Sequence, residues 1–157
     1  MRHLALITLL ITCFSTLSSA HALSRGDQLP PAIAKQLALD PDKISLVDFF
    51  ASWCVSCRIE LPEMNKLSQQ LVTAPVEFVG IEVDEDPQLA AEFLAEMALS
   101  FRVIDDQSQQ VIGAFAPIGM PALYYIKNNT VLGVRYGAIP HIDQVIISDL
   151  QQLGLSL

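Results

Sequence analysis

Two stretches of the chain are almost unbroken apolar runs of strand length, Ile44 to Phe50 and Val76 to Val83. Both are rich in β-branched and aromatic residues, the pattern of strands covered on both faces. Between them, Ile59, Met64, Leu67 and Leu71 recur at helical spacing, so Cys54 to Leu71 is predicted as a helix with a kink at Pro62. Asp86-Pro87 opens a second helix through Leu89, Phe93, Leu94 and Met97, with proline in the first turn. A short strand at Phe101 to Ile104 and a short helix at Ser108 to Phe115 follow. Beyond Pro117 and Pro121, strands at Ala122 to Lys127 and Val131 to Gly137 are joined as a hairpin through Asn128-Asn129-Thr130. Ile142 to Leu153 closes the chain as an amphipathic helix. A β-α-β half followed by a β-β-α half predicts an α/β fold, a central mixed β-sheet flanked by helices.

The amino-terminal part follows a different pattern. Met1-Arg2-His3 is a short basic start, Leu4 to Leu17 is apolar, and Ser18-Ser19-Ala20-His21-Ala22 ends in small residues. Residues 1–22 are therefore expected to be an export signal peptide cut after Ala22, with an uncleaved membrane anchor as the alternative. Cys13 lies inside the apolar run after Leu10-Ile11-Thr12, but Thr is a poor residue before a lipidated cysteine and the segment upstream is very short. Residues 23–43 form a lead-in broken by Leu29-Pro30-Pro31, with a short helix from Ala32 to Leu39. The main domain is expected over 44–157. With 52% hydrophobic residues in 157, there is enough apolar material for one core. The net charge of −8 argues against nucleic acid and anionic lipid as partners.

The chemistry centres on Cys54-Val55-Ser56-Cys57, where a buried strand is predicted to turn into a helix. Unpaired N–H groups and the dipole at a helix start favour a thiolate at the first cysteine, the natural nucleophile. The second, a turn on, is placed to attack a mixed disulfide and release its partner. An inert staple is the alternative, but so small a loop removes little unfolded-state entropy. A structural zinc site would want four ligands, and His3, His21 and His141 are scattered. Once the leader is removed, Cys54 and Cys57 are the only cysteines left. No metal and no cofactor beyond a Cys54–Cys57 disulfide is expected.

Leu46-Val47-Asp48-Phe49-Phe50-Ala51-Ser52-Trp53-Cys54-Val55-Ser56-Cys57 resembles the active-site strand and motif of thioredoxins. The continuation Arg58-Ile59-Glu60-Leu61-Pro62 resembles exported TlpA-like and DsbE-like disulfide reductases, and Gly119-Met120-Pro121-Ala122 resembles the family's cis-proline loop. The resemblance spans roughly 44–153 and implies a thioredoxin fold and a periplasmic thiol–disulfide oxidoreductase that reduces protein disulfides. It also implies recharging by a membrane electron donor of the DsbD type. A monomer is expected.

Asp48 interrupts an apolar strand, so it is either solvent-facing at an edge or buried with a raised pKa. The thioredoxin match favours burial and a role as general base for Cys57. Glu60, three residues after Cys57, shares its helix face and is either a solvated glutamate or a participant in proton handling. Trp53 either packs or offers a flat docking surface beside Cys54. Met120 and Pro121 are implied to hold an extended substrate segment, Met120 either lining an apolar groove or simply packing. Val55-Ser56 stands where thioredoxin has Gly-Pro, and residues between the cysteines tune redox poise. A dithiol oxidase is thus the alternative direction, and a Cu(I) carrier using Cys54, Cys57 and Met120 is the alternative from another class.

Overall fold

A computed structural model describes residues 21–157. All but the last two residues of the expected leader, Cys13 included, lie outside the described residues. The elements in chain order are α1 (Pro31–Leu37), β1 (Ile44–Phe50), α2 (Val55–Gln70), β2 (Val76–Glu82), α3 (Pro87–Met97), β3 (Arg102–Asp105), α4 (Gln110–Phe115), β4 (Ala122–Lys127), β5 (Thr130–Tyr136) and α5 (Ile142–Gln152).

The five strands form one sheet in the order β3-β2-β1-β4-β5. β1, β2 and β3 run parallel, while β4 is antiparallel to β1 and β5 to β4, which makes the sheet mixed. β1 lies at the centre and is buried along its whole length, which is why its sequence lacks a polar alternation. Successive side chains still take opposite faces. Val47 and Phe49 pack with Leu37, Val111 and Phe115 on the α1/α4 face, whereas Leu46 packs with Met64, Leu67 and Ile146 on the α2/α5 face. By the same alternation Asp48 points to the α2 side, between Leu46 and Phe50.

Gly80, opposite Asp48 in the β1–β2 register, permits a close approach: a Cβ there would lie 2.6 Å from the Phe50 ring. On the other face, Phe49, Phe115 and Tyr124 form an aromatic cluster with centroids 4.9 to 5.8 Å apart.

The lead-in belongs to this core. Leu23, Leu29, Ile33 and Leu37 are all buried in the α1/α4 face. Its backbone bonds to the far edge: Gly26 N–H donates to Val131 at 2.8 Å and Leu29 N–H to Asn129 at 2.8 Å. Two details differ from the sequence pattern. The β4–β5 turn is the two residues Asn128-Asn129, both at positive φ (48° and 59°), so Thr130 pairs with Lys127 inside the ladder. Asparagine tolerates the left-handed region that a tight hairpin requires. Helix α4 starts at Gln110, because the Asp106 carboxylate accepts the N–H groups of Val111 and Ile112 and fixes the entry there. Helix α2 runs through Pro62 as one element.

Candidate active site

The redox pair is set at the junction of β1 and α2. Cys54 is the N-cap of α2, in extended conformation, and its Sγ accepts the N–H of Cys57 at 3.2 Å. This uses one of the unpaired donors of the helix start, the environment in which a thiolate is favoured. The two cysteines form a disulfide with Cα atoms 5.3 Å apart. Cys54 keeps 7% of its surface and Cys57 1%, so the outer sulfur is the one an incoming group meets.

Exposed apolar side chains lie near this point in the chain: Trp53 is 65% exposed and Val55 72% on either side of Cys54, Ile59 69% further along α2, and Ile118 78% two residues before Met120. Two hollows flank the disulfide. One is lined by Trp53, Leu89, Met120 and the acidic stretch Asp84 to Asp86, the other by Ile59, Ala138, Ile139 and Pro140. Met120 is half-buried and packs against the cluster containing Cys54, Cys57 and Phe93. Pro121 is buried, the Met120–Pro121 peptide is cis, and the Pro121 carbonyl accepts the N–H of Gly137 at 2.9 Å. The structure thus brings Trp53, Cys54, Cys57 and Met120 to one face.

Behind them lie acids. Asp48 is 2% exposed and its Oδ1 has no hydrogen-bond partner among the described residues. Burial holds its carboxyl well above the usual carboxylate range, and the neighbouring Glu60 pushes the same way. Glu60 is turned inward, buried, with one oxygen accepting the N–H of Ile139. Burial raises its pKa too; the Ile139 bond opposes that and Glu63 adds to it. Glu63 in turn accepts the N–H of Ile142, so α2 holds the start of α5 through two carboxylates.

A second buried acid pair was not singled out from sequence. Glu82 at the end of β2 is fully buried, its Oε1 accepts the N–H of Asp84 at 2.9 Å, and its Oε2 has no partner among the described residues. Burial, reinforced by Asp84 and Asp105, pushes the Glu82 carboxyl up to about 8. The available signal was the one used for Asp48, a carboxylate inside an otherwise apolar strand.

The chain belongs to the thioredoxin family, whose pattern matches residues 32–114. It is 28% identical over 115 residues to the thiol-disulfide oxidoreductase ResA of Oceanobacillus iheyensis, covering 66% of this chain and 60% of that protein. It is 31% identical over 108 residues to the thiol:disulfide interchange protein DsbE of Pseudomonas fluorescens biotype C, covering 68% and 57%. The matched region thus spans about 60% of the length of these relatives. In fold it is similar to a Chlorobium tepidum thioredoxin family protein, a thiol:disulfide interchange protein, with a TM-score of 0.61 at 23% identity over 85% of this chain and 98% of the other.

Proposed function

We propose that the protein is an exported thiol–disulfide oxidoreductase that reduces disulfides in other proteins. The observation that carries this is Cys54 at the start of α2, the more exposed cysteine of a buried pair, with the exposed apolar side chains of Trp53 and Val55 beside it in the chain. In the reduced enzyme, the Cys54 thiolate attacks a partner disulfide, forming a mixed disulfide and expelling one partner sulfur as a thiolate. Cys57 then gives up its proton and attacks the Cys54 sulfur, the partner's second sulfur leaves, and the Cys54–Cys57 disulfide closes. Two electrons have passed to the partner. An outside dithiol donor must return two, and the relatives' resemblance makes a membrane donor of the DsbD type the proposed source.

Asp48 serves as the proton acceptor for Cys57, its affinity for protons held high by burial and, secondarily, by Glu60. Trp53, Met120 and Pro121 bear the partner segment. The reducing direction is supported by the resemblance of Cys57-Arg58-Ile59-Glu60-Leu61-Pro62 to exported disulfide reductases. The apolar segment Leu4 to Leu17 supports export, the compartment in which such a reductant is needed.

The test is equilibration of the Cys54–Cys57 couple with glutathione. A reductase requires a potential more negative than about −200 mV; a value near −120 mV, that of a strong oxidant, would turn the reading to a dithiol oxidase.

A further inference from the structure

Ser52 stands two residues before the nucleophile, and every polar group it has is bonded to a charged side chain. Its N–H donates to Asp84 Oδ2 at 2.7 Å and its hydroxyl to Asp84 Oδ1 at 3.0 Å. Its carbonyl accepts from Arg58 Nε at 3.2 Å. Arg58 is itself fixed, paired with Glu96 and lying 4.6 Å over the Phe93 ring. Asp84 is 3% exposed and receives its own support from Glu82 through the bond from its N–H. Between Ser52 and Cys54 the chain makes a tight turn, Cys54 N–H donating to the Ala51 carbonyl at 3.1 Å. A charged acceptor taking two bonds from one residue fixes both the position and the orientation of that residue.

We propose that Asp84 is a positioning residue for thiol exchange: through Ser52 it holds the turn that presents Cys54 to the start of α2, and Glu82 holds Asp84 in place. The proposal rests on Cys54 being the nucleophile. Its logic is geometric, because the Cys54 sulfur gains its stabilisation from N–H groups whose alignment depends on where the Ala51 to Cys54 turn sits. Asp84 brings negative charge toward the site, which by itself would hinder thiolate formation. Position and charge therefore make opposite predictions for its removal. A Glu82 carboxyl that burial pushes up to about 8 fits this arrangement, since it accepts the Asp84 N–H without bringing a second buried charge there at neutral pH.

The test is the pH profile of Cys54 alkylation by iodoacetamide in the reduced full-length protein, with Cys54 and Cys57 separated by peptide mapping. Asp84→Ala is expected to move the profile to higher pH and to slow Cys54 labelling at pH 7 by about fivefold, the scale of the net contribution of one intramolecular hydrogen bond. Asp84→Asn keeps an acceptor for Ser52 and should label at least as fast as wild type. Ser52→Ala should slow labelling less than Asp84→Ala, and should add nothing in the Asp84→Ala background. Unchanged or faster labelling in Asp84→Ala overturns the proposal. If that variant does not fold, Ser52→Ala decides, and a wild-type rate overturns it. Labelling of Cys57 first in wild type sinks both this proposal and the functional reading, whereas Cys54 first with no effect of Asp84→Ala sinks this proposal alone.

Discussion

Replacing Glu82 with glutamine should make the protein's stability less sensitive to alkali. The carboxyl is fully buried with one oxygen unpartnered among the described residues, and it gives up its proton near pH 8 when folded against 4.5 when not. The folded state therefore holds a proton that the unfolded state has released. Stability falls as pH rises from 4.5 to about 8 and is level in this respect above and below that window. At ~1.4 kcal/mol per pH unit, the loss has a ceiling of roughly 5 kcal/mol, comparable with the whole stability of a small domain. Glutamine keeps the acceptor for the Asp84 N–H and cannot ionise. Urea unfolding of the oxidised protein at pH 5, 7 and 9 should show wild type losing ground to Glu82→Gln by more than about 1.4 kcal/mol, a tenfold change in the folding equilibrium. Asp48 and Glu60 pull in the same direction but in both proteins alike, so they cancel in the difference. Parallel curves would mean that Glu82 is ionised or solvated in the folded state, and would refute the reasoning.

Three further perturbations address other parts of the account. Asp48→Asn should slow release of the mixed disulfide by roughly a hundredfold or more, the lower end of a general base's contribution, while leaving its formation nearly unchanged in rapid-quench trapping. Glu60→Gln keeps an acceptor for Ile139 but removes the like charge beside Asp48, so the acid limb of the resolution rate should move to lower pH in a pH–rate profile. Leu37→Ala, a fully buried position in the lead-in, should cost about 2–5 kcal/mol in urea unfolding; a cost near zero would mean that the lead-in is dispensable.

Where elements pack locally, the sequence was a good guide to them. Ile44 to Phe50 and Val76 to Val83 read as doubly covered strands because both lie in the middle of the sheet with helices on each side. The position of Cys54 at the start of α2 followed from the apolar run that ends at Phe50 and the helical spacing of Ile59, Met64, Leu67 and Leu71 beyond it. What stayed hidden depends on contacts distant in sequence. Leu29-Pro30-Pro31 reads as a breaker, and only the bonds from Gly26 and Leu29 to the β4–β5 hairpin show that the lead-in is anchored. Ser52 and Asp84 are 32 positions apart, so no spacing joined them. Glu60 could be read as solvated because its partner is the N–H of Ile139, 79 positions away.

The central claim is that Cys54 attacks and Cys57 resolves, and the most direct measurement is covalent trapping of partners. Cys57→Ala and Cys54→Ala are expressed at equal levels, the extracts are acid-quenched and alkylated, and adducts are read on non-reducing gels. Cys57→Ala should accumulate mixed disulfides that vanish with dithiothreitol, because the attack is made and the release is not. Cys54→Ala should accumulate none. Adducts on Cys54→Ala instead would reverse the roles, and adducts on neither variant, with tight Cu(I) binding by the reduced pair, would replace thiol exchange with metal carriage.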